Sequence, residues 1–390
     1  MQQSSDLIII GGGVLGSFHA LHALERGLSV RLFERHPRPM GASVRNFGQV
    51  VPSGMDHKWQ AYGRKSLEIY KRLQQSVDLS IRPLGSVYLA SDHEEVQLLE
   101  ELQAINQQNE YPSERLSVAQ CLERYPGLRA DYCRGGLFFP EEISVEYNQM
   151  VHRLLDYLVE QLRLMYHPST QIRELNVRQG RVEVISANGN PYEAENVIVC
   201  SGHEFRTLYP EVFANSDLEV SKLQMMRTVP QSGLRIPGNI LTGLSIRRYE
   251  SFRECPSYTE IKVKEDPDVL WKKWGVHILF KQSPDGSVIV GDSHHYADAA
   301  DAEAIGYDIL PEVNAYMLAE ARKIFRLEDW SLQSEWFGVY SQCKEQDIFH
   351  HRIDDHIHIV TGIGGKGMTG SAGYSLAHIN SLYQSQRAVL

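Results

Sequence analysis

The sequence predicts an α/β fold in two interleaved parts, one built on a parallel sheet and the other on a mixed or antiparallel sheet. Three observations predict it. A short apolar strand runs into a glycine turn and a helical pattern within the first 35 residues, a second strand and glycine turn lead into a helix near the C-terminus, and the apolar runs between them, such as Val197–Cys200, are short and widely separated. The 390 residues allow two or three domains at about 150 residues each. With 39 Lys+Arg against 49 Asp+Glu the net charge is −10, which argues against a nucleic-acid-binding surface. A content of 42% apolar and 23% charged residues excludes extensive disorder. No run reaches the roughly 18 apolar residues of a spanning helix, so no membrane span is expected. Met1–Asp6 lacks Lys and Arg and ends in an acid, unlike an export signal. Five scattered cysteines with no C-x-x-C pair signal neither a disulfide framework nor a zinc site, and a cytoplasmic location is expected.

Taken in order, Asp6–Ile10 reads as a buried parallel strand and leads into Gly11-Gly-Gly-Val-Leu-Gly16, then into Ser17–Gly27, whose Phe18, Leu21, Ala23 and Leu24 fit a helix. In this Rossmann-like register Gly11 permits the tight turn, Gly13 admits a pyrophosphate to the backbone, and Gly16 lets helix and strand pack closely; Val14 and Leu15 open the helix whose N-terminus receives the phosphate charge. Leu28–Phe33 is the second strand. Glu34 at its end, followed by Arg35, stands about 20 residues past the glycines, where an acid accepts ribose hydroxyls. Helices are expected at Trp59–Leu73, Glu94–Gln107, Tyr147–Met165 and Pro311–Phe325, and strands at Arg82–Ala90, Val220–Thr228, Val276–Phe280 and Ser287–Gly291, with Pro284-Asp285-Gly286 turning between the last two. Ile357–Thr361 is a strand that feeds Gly362-Ile-Gly-Gly-Lys-Gly-Met-Thr-Gly370 and a helix from about Ser371 to Gln384.

With these segments in place, the chain resembles the glycine oxidase, sarcosine oxidase and D-amino acid oxidase family, in which the dinucleotide is FAD. Gly41–Val50 looks like the family's loop under the pyrophosphate and along the flavin, which assigns Ser43, Asn46, Gly48 and Gln49 to the cofactor. Ile172 matches the strand that contacts adenine, and Cys200, Ser201 and Gly202 match the small residues beside the phosphates. Gly362, Gly364, Gly365, Lys366, Gly367, Met368 and Thr369 match the flavin motif, where backbone N–H groups, a helix dipole and Lys366 would face the negative charge of reduced flavin. An NAD-dependent reading of the N-terminus leaves Gly362–Gly370 without a role, and a protein using FAD only as a structural ligand would show no substrate-dependent flavin reduction. Val44–Gln49, Gln224–Thr228, Arg248–Phe252 and Asp285–Tyr296 are similar to the subgroup associated with phosphonate breakdown, which acts on aminophosphonates such as N-alkylated 2-aminoethylphosphonate.

The resemblance implies a FAD-binding domain assembled from 1–80, 145–215 and 330–390, a substrate domain from 81–144 and 216–329, and a ligand in the crevice between them. It implies oxidation of a C–N bond with hydride passing to flavin, on a small anionic amine. Amino-acid-oxidising members hold the substrate carboxylate with an arginine that Trp336–Glu345 lacks, which disfavours a plain α-amino acid, although a glycine, sarcosine or D-amino acid type of oxidase using a different arginine remains the alternative. The place of the flavin-linking cysteine falls near Val339 and Tyr340, out of register with Cys343, so the FAD is expected to be non-covalent. The oxygen-activating lysine of sarcosine oxidases falls near Ile289. Candidates for the substrate anion are Arg45, Arg227, Arg247 and Arg248 with Tyr249, and Gln49, His294, Tyr340 and Lys366 are the candidate catalytic groups. Arg45 is also open to a role on FAD phosphate, Arg247 and Arg248 to being a solvated pair, and Lys281 to a place near the flavin edge or to being a surface lysine. His294 and His295 face opposite sides of a strand, while His356 and His358 share a face of the strand that feeds the FAD motif, so no metal is expected.

Overall fold

The apolar run Leu7–Ile10 lies at the centre of a parallel sheet in the computed structural model, which describes residues 3–384. The strand Gln3–Ile10 pairs in parallel with Pro191–Val199 on one side and Val30–Phe33 on the other. Ile357–Thr361 and Met165–His167 extend the parallel core outward, and Phe349–Arg352 joins it antiparallel at one edge. Strands buried on both faces read as continuous apolar runs, which is why Leu7–Ile10, Val30–Phe33 and Ile357–Thr361 were legible without alternation, whereas the partly exposed Met165–His167 and Phe349–Arg352 were not expected as strands. The helix Val14–Glu25 is buried from Val14 to Ala23. Its polar residues therefore need internal partners: Ser17 Oγ donates to the Gly12 carbonyl and His22 Nε2 meets the Ala372 carbonyl at 2.9 Å.

A second sheet of nine strands carries the other half of the molecule. Its spine is the long strand Leu218–Thr228, paired antiparallel along almost its whole length with Leu332–Cys343. Leu332–Cys343 thus belongs to the second sheet, although the expected boundary at residue 330 would put it with the cofactor segments. Residues 1–2 and 385–390 of those segments lie outside the described residues. The hairpin Leu279–Gln282 to Val288–Gly291 forms around Gly286, at φ +88°, with Asp285 accepting from the Ser287 N–H and hydroxyl. The strand expected from Arg82 begins at Ser86, because Arg82 instead forms an isolated bridge to Ser144.

The long helices run His57–Gln74, His93–Gln108, Met150–Leu162 and Pro311–Ile324, within a few residues of their expected limits. The C-terminal helix starts earlier than expected, at Gly367 rather than near Ser371. Glycine is a poor helix former, but here packing overrides propensity. A Cβ on Gly370 would press on the Trp59 ring and one on Gly373 would overlap the Tyr62 backbone, so the glycines let this helix lie directly on His57–Gln74. No helix among the described residues is long and apolar enough to cross a membrane.

Candidate functional site

A cleft of about 1260 Å³ runs from the first glycine turn to the face of the second sheet. At its first end, a Cβ on Gly16 would overlap the Gly11 carbonyl, so helix and turn touch as the glycine spacing predicts. The Val14 N–H donates to Ser43 Oγ at 2.9 Å, which ties the next loop across the helix N-terminus. Glu34 is buried and accepts from the N–H groups of Gly12 and His36, both at 3.0 Å, so its carboxylate is oriented while retaining lone pairs for hydroxyl donors. Arg35 is exposed at the rim. Ile172, Cys200, Ser201 and Gly202 line the same end, and the Gly202 carbonyl is fixed by the hydroxyls of Ser341 and Thr361 at 3.0 and 2.6 Å.

The loop that continues along the cleft is held by its own side chains. Asn46 donates to the carbonyls of Ala42 and Ser43 and accepts from the Gly48 N–H, while Arg45 donates to the Met40 and Phe337 carbonyls. Arg45 thus has neutral partners and keeps its charge at the cleft wall. Gln49 is buried, lines the cleft, and its Nε2 has no protein acceptor. An orphaned amide donor beside a glycine cradle fits a bound ring system with carbonyl and nitrogen acceptors, such as a flavin. Behind this loop Lys281 is fully buried, contrary to the surface alternative; its Nζ donates to the Val145 carbonyl at 2.6 Å and stands 3.6 Å from Glu146. Burial pushes its ammonium down to about 7. Lys281 is the cross-strand partner of Ile289, so a lysine does occupy that place in the sheet, one strand over.

At the far end, Gly362, Gly364, Gly365 and Gly367 line the cleft as the chain passes through a 3-10 turn, Gly364–Lys366, into the C-terminal helix. Gly362 and Gly364 have φ near +68° and +63°, a conformation glycine adopts without strain. Thr369 accepts from the Val51 N–H and the Met368 carbonyl accepts from Tyr70, so both residues anchor the turn to its neighbours. Lys366 is not a free cation: its Nζ bonds Glu250 at 2.8 Å, with Asp347 at 3.7 Å, and this pair offsets the charge expected to face the flavin.

The polar wall separates two neighbouring arginines. Arg247 is enclosed by four carboxylates, with Glu95 at 2.8 Å, Asp92 at 2.6 Å, Glu94 at 3.2 Å and Glu265 at 3.3 Å, and is neither solvated nor available to a substrate anion. Arg227 sits outside the cleft against the Tyr147 hydroxyl, which removes it as well. Arg248 remains. It donates to the Gly275 carbonyl at 3.3 Å and the Tyr296 hydroxyl at 2.9 Å, has no ion-pair partner among the described residues, and lines the cleft with Tyr249, His294 and Tyr340.

His294 Nδ1 lies 3.0 Å from the Gly275 carbonyl, which assigns the proton to Nδ1 and the lone pair to Nε2. Burial, reinforced by the Arg248 charge, holds its pKa well below the ordinary value, so the ring is neutral. Sequence reasoning missed the residue that organises this wall, Asp292, which is buried with a carboxylate oxygen 2.7 Å from His277 Nε2. Burial alone would raise the Asp292 pKa, but His277, His294 and Arg248 hold it below the usual carboxylate range. Asp292 directly follows the hairpin strand Val288–Gly291 and lies within the quoted segment Asp285–Tyr296, but nothing in that segment singled out its carboxylate.

The family model for FAD dependent oxidoreductases (DAO) matches residues 6–377. The fold is shared with glycine oxidase from Geobacillus kaustophilus, at 15% identity and a TM-score of 0.77 over 98% of this chain and 95% of that one. It is shared too with L-proline dehydrogenase from P. horikoshii, at 15% identity and TM-score 0.79 over 99% and 95%. L-alpha-glycerophosphate oxidase from Mycoplasma pneumoniae with FAD bound gives 17% identity and TM-score 0.75 over 97% and 95%. The glycine cradle, the oriented Glu34 and the orphaned Gln49 amide therefore stand in a chain that belongs to the DAO family of FAD-dependent oxidoreductases.

Proposed function

We propose that the protein oxidises the C–N bond of a small anionic amine, an aminophosphonate such as 2-aminoethylphosphonate or its N-alkyl derivatives. The observation that supports this reading is Arg248, a cleft-lining guanidinium bonded only to neutral acceptors. FAD, when bound, supplies the hydride acceptor. Arg248 presents a planar fork to the anion, and the phenols of Tyr249, Tyr296 and Tyr340 line the same cleft. A phosphonate dianion offers three oxygens to this set, more than a carboxylate does. His294, neutral and with its lone pair on Nε2, can accept a hydrogen bond from the amine and help position its C–H bond. Cys343 lines the cleft, yet burial pushes its thiol up to about 12, and a protonated thiol is a poor nucleophile, which supports FAD held without a covalent bond. In this reading segments 1–80, 145–215 and 330–390 hold the cofactor and 81–144 and 216–329 shape the substrate side.

An anaerobic titration tests it. Bleaching of the oxidised-flavin band by 2-aminoethylphosphonate or its N-methyl form, but not by glycine or sarcosine, is the expected result. Bleaching by glycine or sarcosine alone would mean that Arg248 holds a carboxylate and that the phosphonate reading is wrong.

A further inference from the structure

Away from the cleft, His350 and His358 on the edge hairpin and His378 on the C-terminal helix bring one ring nitrogen each to within 4.8 Å of one another. His350 is exposed, while His358 and His378 are 5% and 7% exposed. We infer that His350, His358 and His378 form a binding site for a late first-row divalent cation, with zinc the representative ion.

The hydrogen bonds around the trio fix where the lone pairs are. His19 Nδ1 lies 2.8 Å from the Leu15 carbonyl, which only accepts, so the His19 proton is on Nδ1 and its Nε2 is an acceptor. His378 Nδ1, 2.9 Å from His19 Nε2, must then donate, and the His378 lone pair falls on Nε2. That Nε2 is buried without a protein partner. A ligating imidazole whose other N–H is held by an acceptor is the arrangement that orients a metal ligand. His350 Nε2 and His358 Nδ1 are 3.1 Å apart, close to the separation of about 3.3 Å that two nitrogens bound tetrahedrally at about 2.0–2.1 Å from zinc adopt. Three imidazoles without a carboxylate suit zinc, copper, nickel or cobalt rather than magnesium or calcium. The exposed face of His350 leaves an entry path and room for water as a fourth ligand. Arg352, the nearest cation on the hairpin, is paired with Asp355.

The second cluster, His277, Asp292 and His294, is a poorer cation site, since Asp292 already faces His277 at 2.7 Å and Arg248 adds positive charge beside it. The remote trio would clip the edge hairpin to the C-terminal helix.

The test uses the FAD-loaded full chain, stripped of metal with a chelator and titrated with zinc chloride in a calorimeter. One equivalent is expected to bind, with an unfolding temperature raised by several degrees. His350→Gln, at the surface, should weaken binding at least tenfold while leaving the metal-free unfolding temperature unchanged, and His378→Gln should weaken it likewise. His351→Gln, on the exposed neighbouring position, should bind as the unaltered protein does. No stoichiometric binding, or equal binding in His350→Gln and the unaltered protein, would overturn the site, as would loss of binding in His351→Gln.

Discussion

Arg247 and Arg248 are adjacent, and replacing each with methionine should have opposite consequences. Arg247→Met removes the centre of a four-carboxylate cage, but the cost is set by which carboxylates are then stranded. Asp92 and Glu94 have side chains 46% and 42% exposed, and rim pairs of this kind are worth about 0–1 kcal/mol each. Glu265 is buried yet keeps Lys262 at 2.7 Å and Lys272 at 3.1 Å. Glu95 alone, at 3% side-chain exposure, loses its only cation and keeps just the Ser91 N–H and hydroxyl. Breaking one buried pair costs about 3–5 kcal/mol, and the two surviving hydrogen bonds favour the lower end. With about 2.1 cal/mol/K of unfolding entropy per residue, a loss of about 3 kcal/mol lowers the melting temperature of the 390-residue chain by roughly 4 °C. The deficit should depend on pH in a definite direction. Burial, with Asp92 adding to it, already raises the Glu95 pKa, and removing Arg247 raises it further. The folded state then binds more protons than the unfolded one, so acid favours the folded variant and the deficit shrinks between pH 8 and pH 5.5. Thermal unfolding across that range, alongside steady-state kinetics, is the assay. A tenfold rise in KM with unchanged stability would refute the assignment and return Arg247 to the substrate.

Arg248→Met should do the reverse, lowering kcat/KM for the aminophosphonate about a hundredfold, the worth of about 3 kcal/mol in charge-assisted hydrogen bonds, with melting temperature and flavin content retained; an unaltered KM would remove Arg248 from the site. Lys366→Ala should slow anaerobic flavin reduction in stopped flow with FAD still bound, and an unchanged rate would mean that Glu250 has fully cancelled the lysine. Gly13→Val places side-chain atoms toward Ser43 Oγ at the helix N-terminus and should yield colourless protein; stoichiometric flavin in the purified variant would contradict the cradle. Glu142 is fully buried, and burial raises its carboxyl to about 7. A folded pKa above the unfolded value gives stability that is present below about pH 4.5 and lost as pH rises through about 7. Glu142→Gln should flatten that slope, and an identical pH–stability profile in denaturant titrations would show that Glu142 is ionised throughout.

The cofactor end of the cleft was legible because its requirements are local. A strand, a tight turn and a helix within 35 residues place Gly11, Gly13, Gly16 and Glu34 by sequence spacing alone. The polar wall was not, because its chemistry is decided by partners far along the chain. Nothing between residues 240 and 250 tells Arg247 from Arg248; the difference is made by Asp92, Glu94 and Glu95 on a helix about 150 residues earlier. Lys281 and Ile289 changed places for the same reason, since a hairpin makes them cross-strand partners while sequence places them eight residues apart. The histidine trio spans a hairpin and a helix, so no spacing rule for metal ligands marks it.

The parallel core also sets a timetable for synthesis. Pro191–Val199 waits for Ile357–Thr361 to complete its outer side, and more than 150 residues separate the two. At about 5–20 residues per second the ribosome leaves that apolar edge uncovered for roughly 10–30 s. During that interval the nascent chain offers the unpaired edge at Val197–Val199 to its neighbours on the same messenger, an opening for edge-to-edge association. Slower translation between these strands should therefore increase the fraction of chain lost to aggregates, even where every residue of the finished protein is unchanged.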